Sequence, residues 1–124
     1  MTHAEYAVQL WTSAPKMPDA CWQVVGFFYA AVHGVNHALF GGADVNWSHD
    51  HGKREFEMDR HQRLRPLLGK YRALRKESEV ARYKPWQHPF NAARTANARN
   101  LAAEVLQACG IEIPPASAAK APRT

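Results

Sequence analysis

Cysteine is scarce in this chain, and its apolar runs are short. The 124 residues include only Cys21 and Cys109, which lie far apart and share no metal-type spacing. The longest apolar stretch, Val24 to Phe40, is interrupted by two histidines and an asparagine, which argues against a membrane span. The first nine residues lack the basic start and apolar core of a secretory signal. We therefore expect a cytoplasmic protein with reduced thiols, no membrane contact and no cofactor.

Strand-like patterns and glycine-rich phosphate loops are also missing. No segment alternates β-branched or aromatic residues with polar ones, and Gly41-Gly42 is not followed by the residues of a phosphate loop. Hydrophobic residues make up 46% of the chain and charged residues 22%, as in an ordinary folded domain. The sequence predicts an all-α protein, an antiparallel four- to five-helix bundle over residues 1–113, with a Pro/Ala-rich tail over 114–124.

Capping residues and prolines set the predicted helix boundaries. Thr2 and Glu5 have capping-box spacing, and Asp19 is a good N-cap for the second helix. Ser48 or Asp50 would cap the third helix, and Gly110 would end the fifth. The first predicted helix runs from about His3 to before Pro15, and the second follows Asp19 and ends at about Phe40. The third continues through about Arg63. The fourth runs from about Leu67 to Arg82, and the fifth runs from Pro89 or Phe90 to Ala108.

The second helix is apolar nearly all round, so we place it at the centre of the bundle. Two other helices have apolar faces at helical spacing that would pack against it. The predicted inner face of the fourth helix is Leu67, Tyr71, Leu74, Ser78 and Ala81. The predicted inner face of the fifth helix is Ala93, Asn97, Leu101, Val105 and Ala108.

A polar stripe crosses this central helix. Its members are Tyr29, His33, Asn36 and His37, followed by Phe40. Buried polar groups need hydrogen-bond partners, so we expect the third helix to face the stripe. The expected partners are His49, Asp50, His51, Arg54 and His61, with Ser78 and Arg82 from the fourth helix. The stripe fits a purely structural network, a metal site of His33, His37 and His51, or a catalytic or ligand site.

The positive charge of the chain lies in one segment. Between Lys53 and Lys84 there are eleven Lys or Arg and five Asp or Glu, whereas the remaining residues are nearly neutral. Such a segment attracts phosphate groups, although a solvated helical face has the same composition.

Three segments resemble a group of small HEPN-like bacterial proteins. WQVVGFFYAAVHGVNHALF is similar to their Tyr-Ala-Ala-x-His helix through Tyr29 and His33. SHDHGKR resembles their His-x-x-Arg helix start through His51 and Arg54. YRALRKESEVARY resembles a third helix of the group through Tyr71, Leu74, Ser78, Ala81, Arg82 and Tyr83. The resemblance covers about half of the chain and implies a helical bundle that is often dimeric.

In active HEPN members, an Arg and a His with four to six residues between them cleave RNA without metal. His transfers protons near neutral pH, and Arg stabilises charge on the phosphate. Arg82 with His88 and Arg54 with His61 have this kind of spacing, and the second pair would share one helix face. The last helix, where the motif usually lies, has no His.

We therefore expect a homodimer that binds RNA or a nucleotide. The resemblance further implies a ribonuclease of toxin or defence type and an antitoxin-like partner. The expected binding residues are Tyr29, His33, Asn36, His37, Ser78, Arg82 and Tyr83. The expected catalytic residues are His51, Arg54 and His61. The alternative is a non-enzymatic interaction bundle in which the His/Arg network only holds the fold.

Overall fold

The computed structural model describes residues 2–41, 51–84 and 91–114, and over these ranges it has five α helices and no strand. The helices are α1 (His3–Ser13), α2 (Ala20–Phe40), α3 (His51–Asp59), α4 (Leu68–Tyr83) and α5 (Ala92–Ala108). This confirms the all-α prediction. The predictions about the Ser48 or Asp50 cap, the Arg82–His88 pair and the tail beyond Pro114 lie outside the described residues.

Two helices begin where their capping residues predict. At α1, Thr2 Oγ1 accepts a hydrogen bond from the Glu5 amide at 3.1 Å, and Glu5 Oε1 accepts one from the Thr2 amide at 2.8 Å. At α2, Asp19 Oδ1 accepts from the Cys21 amide at 2.9 Å. These side chains satisfy amides that have no partner inside the helix, so a short local sequence fixes both starts.

Glycines end α2 and α5, as the sequence predicts. Gly41 has a φ of 80° at the end of α2, and Gly110 has a φ of 79° after α5. The Gly110 amide donates to the Gln107 carbonyl at 3.1 Å and the Ile111 amide to the Leu106 carbonyl at 3.0 Å. This is the Schellman arrangement, in which a residue without a side chain takes the left-handed conformation.

The boundaries of α3 and α5 differ from the prediction. Helix α3 ends at Asp59, not at about Arg63, because His61 Nδ1 accepts from the Arg63 and Leu64 amides at 3.2 and 3.3 Å. Those amides are thereby withdrawn from a continuing helix. Helix α5 begins after Asn91, whose Oδ1 accepts from the Arg94 amide at 2.9 Å.

Helix α2 lies at the centre, as predicted, and packs against α1, α4 and α5. Its contact with α5 is close because residue 34 is glycine. A Cβ atom on Gly34 would lie 2.5 Å from Leu106 Cδ2, which is a severe clash. A larger side chain at this position would therefore force the side chain of Leu106 to shift.

The buried face of α4 is predicted correctly at Tyr71, Leu74, Ser78 and Ala81, with Leu68 rather than Leu67 completing it. The predicted face of α5 is correct at Val105, and Leu101 and Ala108 are partly buried against the core, but the prediction is wrong at Ala93 and Asn97. The buried residues of α5 are Ala98, Ala102, Val105 and Leu106, whereas Ala93 and Asn97 are exposed. Helix α5 is rich in alanine on several sides, so its own pattern does not select a face. The buried face includes Leu106, which lies against Gly34 of α2.

No helix within the described ranges has the length and apolar character needed to cross a membrane.

Candidate functional site

Arg54 is the centre of a buried network that joins three helices. Only 1% of its surface is exposed. Its Nε donates to Asn36 Oδ1 on α2 at 3.0 Å, and its Nη1 donates to the hydroxyl of Tyr71 on α4 at 3.4 Å. The same Nη1 lies 3.0 Å from His51 Nδ1. We call Asn36, His51, Arg54 and Tyr71 the Arg54 network.

The bond to Arg54 fixes the protonation state of His51. A guanidinium group can only donate, so His51 Nδ1 must accept, and the neutral imidazole carries its proton on Nε2. Burial lowers the pKa of His51 below its usual value of 6.5, and the positive charges of Arg54 and Arg75 lower it further. His51 is therefore neutral at pH 7 and has a donor N–H at Nε2.

Aromatic rings close the network on its apolar side. The ring of Phe28 on α2 lies 5.6 Å from that of His51 and 5.7 Å from that of Tyr71. Burial raises the pKa of Tyr71 to about 12, so its hydroxyl stays protonated at neutral pH. The network ties α3 to α2 and α4 through the bonds of Arg54 to Asn36 and Tyr71, and its contact with His51 lies within α3.

A buried carboxylate next to Arg54 neutralises part of the basic segment. Glu55 accepts from Arg72 Nε at 2.9 Å through one oxygen and from Arg75 Nη1 through the other. Arg75 Nε also lies 3.6 Å from Glu79, one helical turn away. The charges of these two arginines are therefore shared with acidic groups.

The polar stripe of α2 divides among three neighbouring helices, and Tyr29 faces α4. Asn36 faces Arg54, but His33 faces α1, where its Nδ1 lies 2.9 Å from His3 Nδ1 and its ring stacks on Tyr6 at 5.1 Å. The expectation that the whole stripe faces the third helix is wrong at His33. His37 Nδ1 is buried and has no hydrogen-bond partner among the described residues.

The described ranges contain no group of three His, Cys, Asp or Glu side chains placed to share a metal ion.

Arg82 is exposed and is held by two tyrosines. Its Nη1 donates to the hydroxyl of Tyr29 on α2 at 2.6 Å. The guanidinium carbon lies 4.7 Å from the ring centre of Tyr83 and 5.7 Å from that of Tyr29. In the part of the chain that the structure describes, Arg82 makes no ion pair with a carboxylate. We call Tyr29, Arg82 and Tyr83 the Arg82 cluster.

The structure therefore divides the predicted site residues into two groups. His51, Arg54 and Asn36 meet in the Arg54 network, and Tyr29, Arg82 and Tyr83 meet in the Arg82 cluster. The remaining predicted residues lie elsewhere. Ser78 is 1% exposed, and its Oγ has no hydrogen-bond partner within the described ranges. His61 lies beyond the end of α3 and caps the turn that follows, so it does not share a helix face with Arg54.

Sequence reasoning missed His3 as the partner of His33, and it missed the ion pairs of Glu55 with Arg72 and Arg75 beside the Arg54 network. Glu55 contacts arginines 17 and 20 positions away, and His3 contacts a histidine 30 positions away. Local spacing contains no signal for contacts over such separations. The segments that resemble HEPN-like proteins include Tyr71, which the structure places in the Arg54 network.

Comparisons with family models, with curated proteins and with solved structures find no match for this chain.

Proposed function

We propose that this protein binds RNA or a nucleotide at the Arg82 cluster, as a helical bundle of the HEPN-like type. The observation that supports this best is the state of Arg82. It is exposed, oriented by the Tyr29 hydroxyl, and without a carboxylate partner among the described residues. A positive charge held in this way is available to an anionic ligand.

The cluster has the two chemical groups that nucleotide binding requires. A guanidinium group binds phosphate oxygens through two parallel N–H donors. The ring of Tyr83 is 58% exposed, so a base can stack on it. Because Tyr29 and Tyr83 already hold the guanidinium, binding immobilises fewer rotatable groups than it would at a free arginine.

The geometry supports binding rather than cleavage. Arg54 is buried by α2 and α4, so its guanidinium does not reach a phosphate on the surface in this conformation. The bond from Arg54 leaves the neutral His51 as a donor at Nε2, whereas a general base must accept the 2′-hydroxyl proton. The Arg54 network therefore positions the helices that form the Arg82 cluster.

Fluorescence anisotropy with a labelled single-stranded RNA of mixed sequence tests the proposal. We expect binding at about 50 mM salt that weakens steeply by about 200 mM, because phosphate contacts release counterions. Arg82→Ala should weaken binding about tenfold, which is the loss of one well-oriented phosphate contact. Arg82→Lys should restore only part of the affinity, because an ammonium group lacks the planar pair of donors.

Arg99→Ala is the matched control, since it removes the same charge from α5 and should leave the affinity close to that of the wild type. Absence of RNA and nucleotide binding by the folded wild-type protein at low salt would contradict the proposal. It would favour the alternative of an interaction bundle with a structural His/Arg network. The homodimer implied by the resemblance is a separate part of the proposal, and light scattering on the purified protein measures it.

A further inference from the structure

The exposed face of α4 extends the Arg82 cluster into a longer surface. Arg72, Lys76, Glu79 and Tyr83 follow one another at intervals of three or four residues, so they share one side of the helix. Two concavities lie along this side. One, of about 420 Å³, is lined by Gly69, Arg72, Ala73, Arg75, Lys76 and Glu79. The other, of about 290 Å³, is lined by Lys76, Glu79, Val80, Tyr83 and Lys84.

The two concavities share Lys76 and Glu79, so they form one continuous depression, which we call the α4 groove. Residues 69 and 73, which line the groove beside Arg72 and Lys76, are glycine and alanine. Small side chains at these positions leave room for a ligand to lie against the helix.

The charge in the groove is positive and partly unpaired. Lys76 and Lys84 are exposed and make no ion pair with a carboxylate within the described ranges. Arg72 contacts Glu55 through Nε, and its side chain remains 58% exposed. The acidic residue in the groove, Glu79, lies 3.6 Å from Arg75. Arg72 and Lys76 therefore lie along the groove on one side of the exposed Tyr83, and Lys84 follows Tyr83 in the chain.

We infer that the α4 groove binds a single strand of RNA about five nucleotides long, with one base stacked on Tyr83 and the phosphates along Lys76 and Arg72. The inference rests on the proposed function and adds the size and form of the ligand. Eleven residues separate Arg72 from Tyr83, which is about 16 Å of helix. A stacked strand advances about 3.4 Å per nucleotide, so roughly five nucleotides cover this length.

Labelled uridine oligonucleotides from one to about ten nucleotides long test the inference. Affinity should rise with each added nucleotide up to about five and then stay nearly constant. If a mononucleotide binds as tightly as the longest strand, the inference fails while binding at the Arg82 cluster stands. If neither binds, both proposals fail.

Two substitutions in the groove should change the affinity for the strand in opposite directions. Lys76→Ala should weaken binding of the longest strand several-fold and reduce the salt dependence by about one counterion, with a smaller effect on a mononucleotide. Glu79→Gln should strengthen binding, because it removes the acidic charge that phosphates would meet. Lys16→Ala, a matched loss of a lysine outside α4, should have little effect. Equal effects of Lys76→Ala and Lys16→Ala would overturn the inference.

Competition with an RNA duplex and with polyglutamate distinguishes a site for single-stranded RNA from a site for other polyanions. A duplex of the same length should bind more weakly, because its bases are stacked inside the helix and do not reach Tyr83. Tyr83→Ala should weaken binding of the single strand and leave duplex binding unchanged. Polyglutamate should displace the strand poorly. Displacement by polyglutamate as effective as that by unlabelled RNA would show a site for acidic polypeptides and overturn the inference.

Discussion

Arg54 and Arg82 both donate a hydrogen bond to a polar side chain of α2, but their surroundings are opposite. Arg54 is 1% exposed and donates to Asn36, whereas Arg82 is exposed and donates to Tyr29. Burial determines what each guanidinium contributes. A buried guanidinium stabilises the helices around it, and an exposed one with fixed orientation is available to a ligand.

The largest expected difference between the two arginines is in stability. Arg54→Ala leaves the oxygens of Asn36 and Tyr71 without their donor and opens a cavity in the core. We expect the free energy of unfolding to fall by about 3–5 kcal/mol. Urea unfolding followed by far-ultraviolet circular dichroism measures this change.

The matched variant for this comparison is Arg82→Ala, which should change the free energy of unfolding by less than about 1 kcal/mol. If the two variants are equally stable, the contrast between a structural and a ligand-binding arginine is wrong.

A smaller effect should follow from removing one acceptor of the Arg54 network. Asn36→Leu is close in volume and removes the oxygen that accepts from Arg54 Nε at 3.0 Å. An unsatisfied buried donor costs about 1–3 kcal/mol, so we expect a loss of stability in that range. Asn36→Asp keeps an acceptor opposite the guanidinium and should cost less. Equal losses in both variants would show that the bond to Arg54 is not what Asn36 contributes.

The smallest expected effect is a pH dependence that arises from His51. Its pKa in the folded protein lies below the usual value of 6.5, chiefly because of burial and then because of Arg54. As the pH falls below 6.5, the unfolded chain takes up a proton that folded His51 does not, so stability decreases. His51→Gln keeps an acceptor for Arg54 and should lose less stability between about pH 7 and pH 5.

Unfolding curves of the wild type and His51→Gln at several pH values give this difference directly. The two proteins share every residue except residue 51, so the contributions of all other groups cancel in the comparison. Identical pH dependence in the two proteins would contradict the placement of His51 against Arg54.

The polar stripe of α2 shows where prediction from the sequence stopped. The spacing of Tyr29, His33, Asn36 and His37 placed them correctly on one long, central helix, because helical periodicity is a local property. Their partners were predicted less well. Asn36 meets Arg54 as expected, but His33 meets His3 on α1, since α2 is surrounded by helices on several sides.

The Arg82 cluster was present in the sequence only as separate residues. Tyr83 and Arg82 are neighbours in the chain, but Tyr29 lies 53 positions before Arg82. The sequence identified all three as candidate binding residues through the resemblance. The polar stripe predicted Arg54 and Arg82 as partners of α2, but the sequence did not indicate which stripe residue each would meet or that Arg82 would be the exposed one.

The sequence by itself determined the all-α class, the central position of α2 and the residues that begin α1 and α2. These features depend on apolar periodicity and on capping contacts within three residues, such as the bonds between Thr2 and Glu5. Tertiary structure alone decided which face of α5 is buried and which arginine is exposed. Those outcomes depend on contacts between distant helices, and only packing of the whole bundle selects among them.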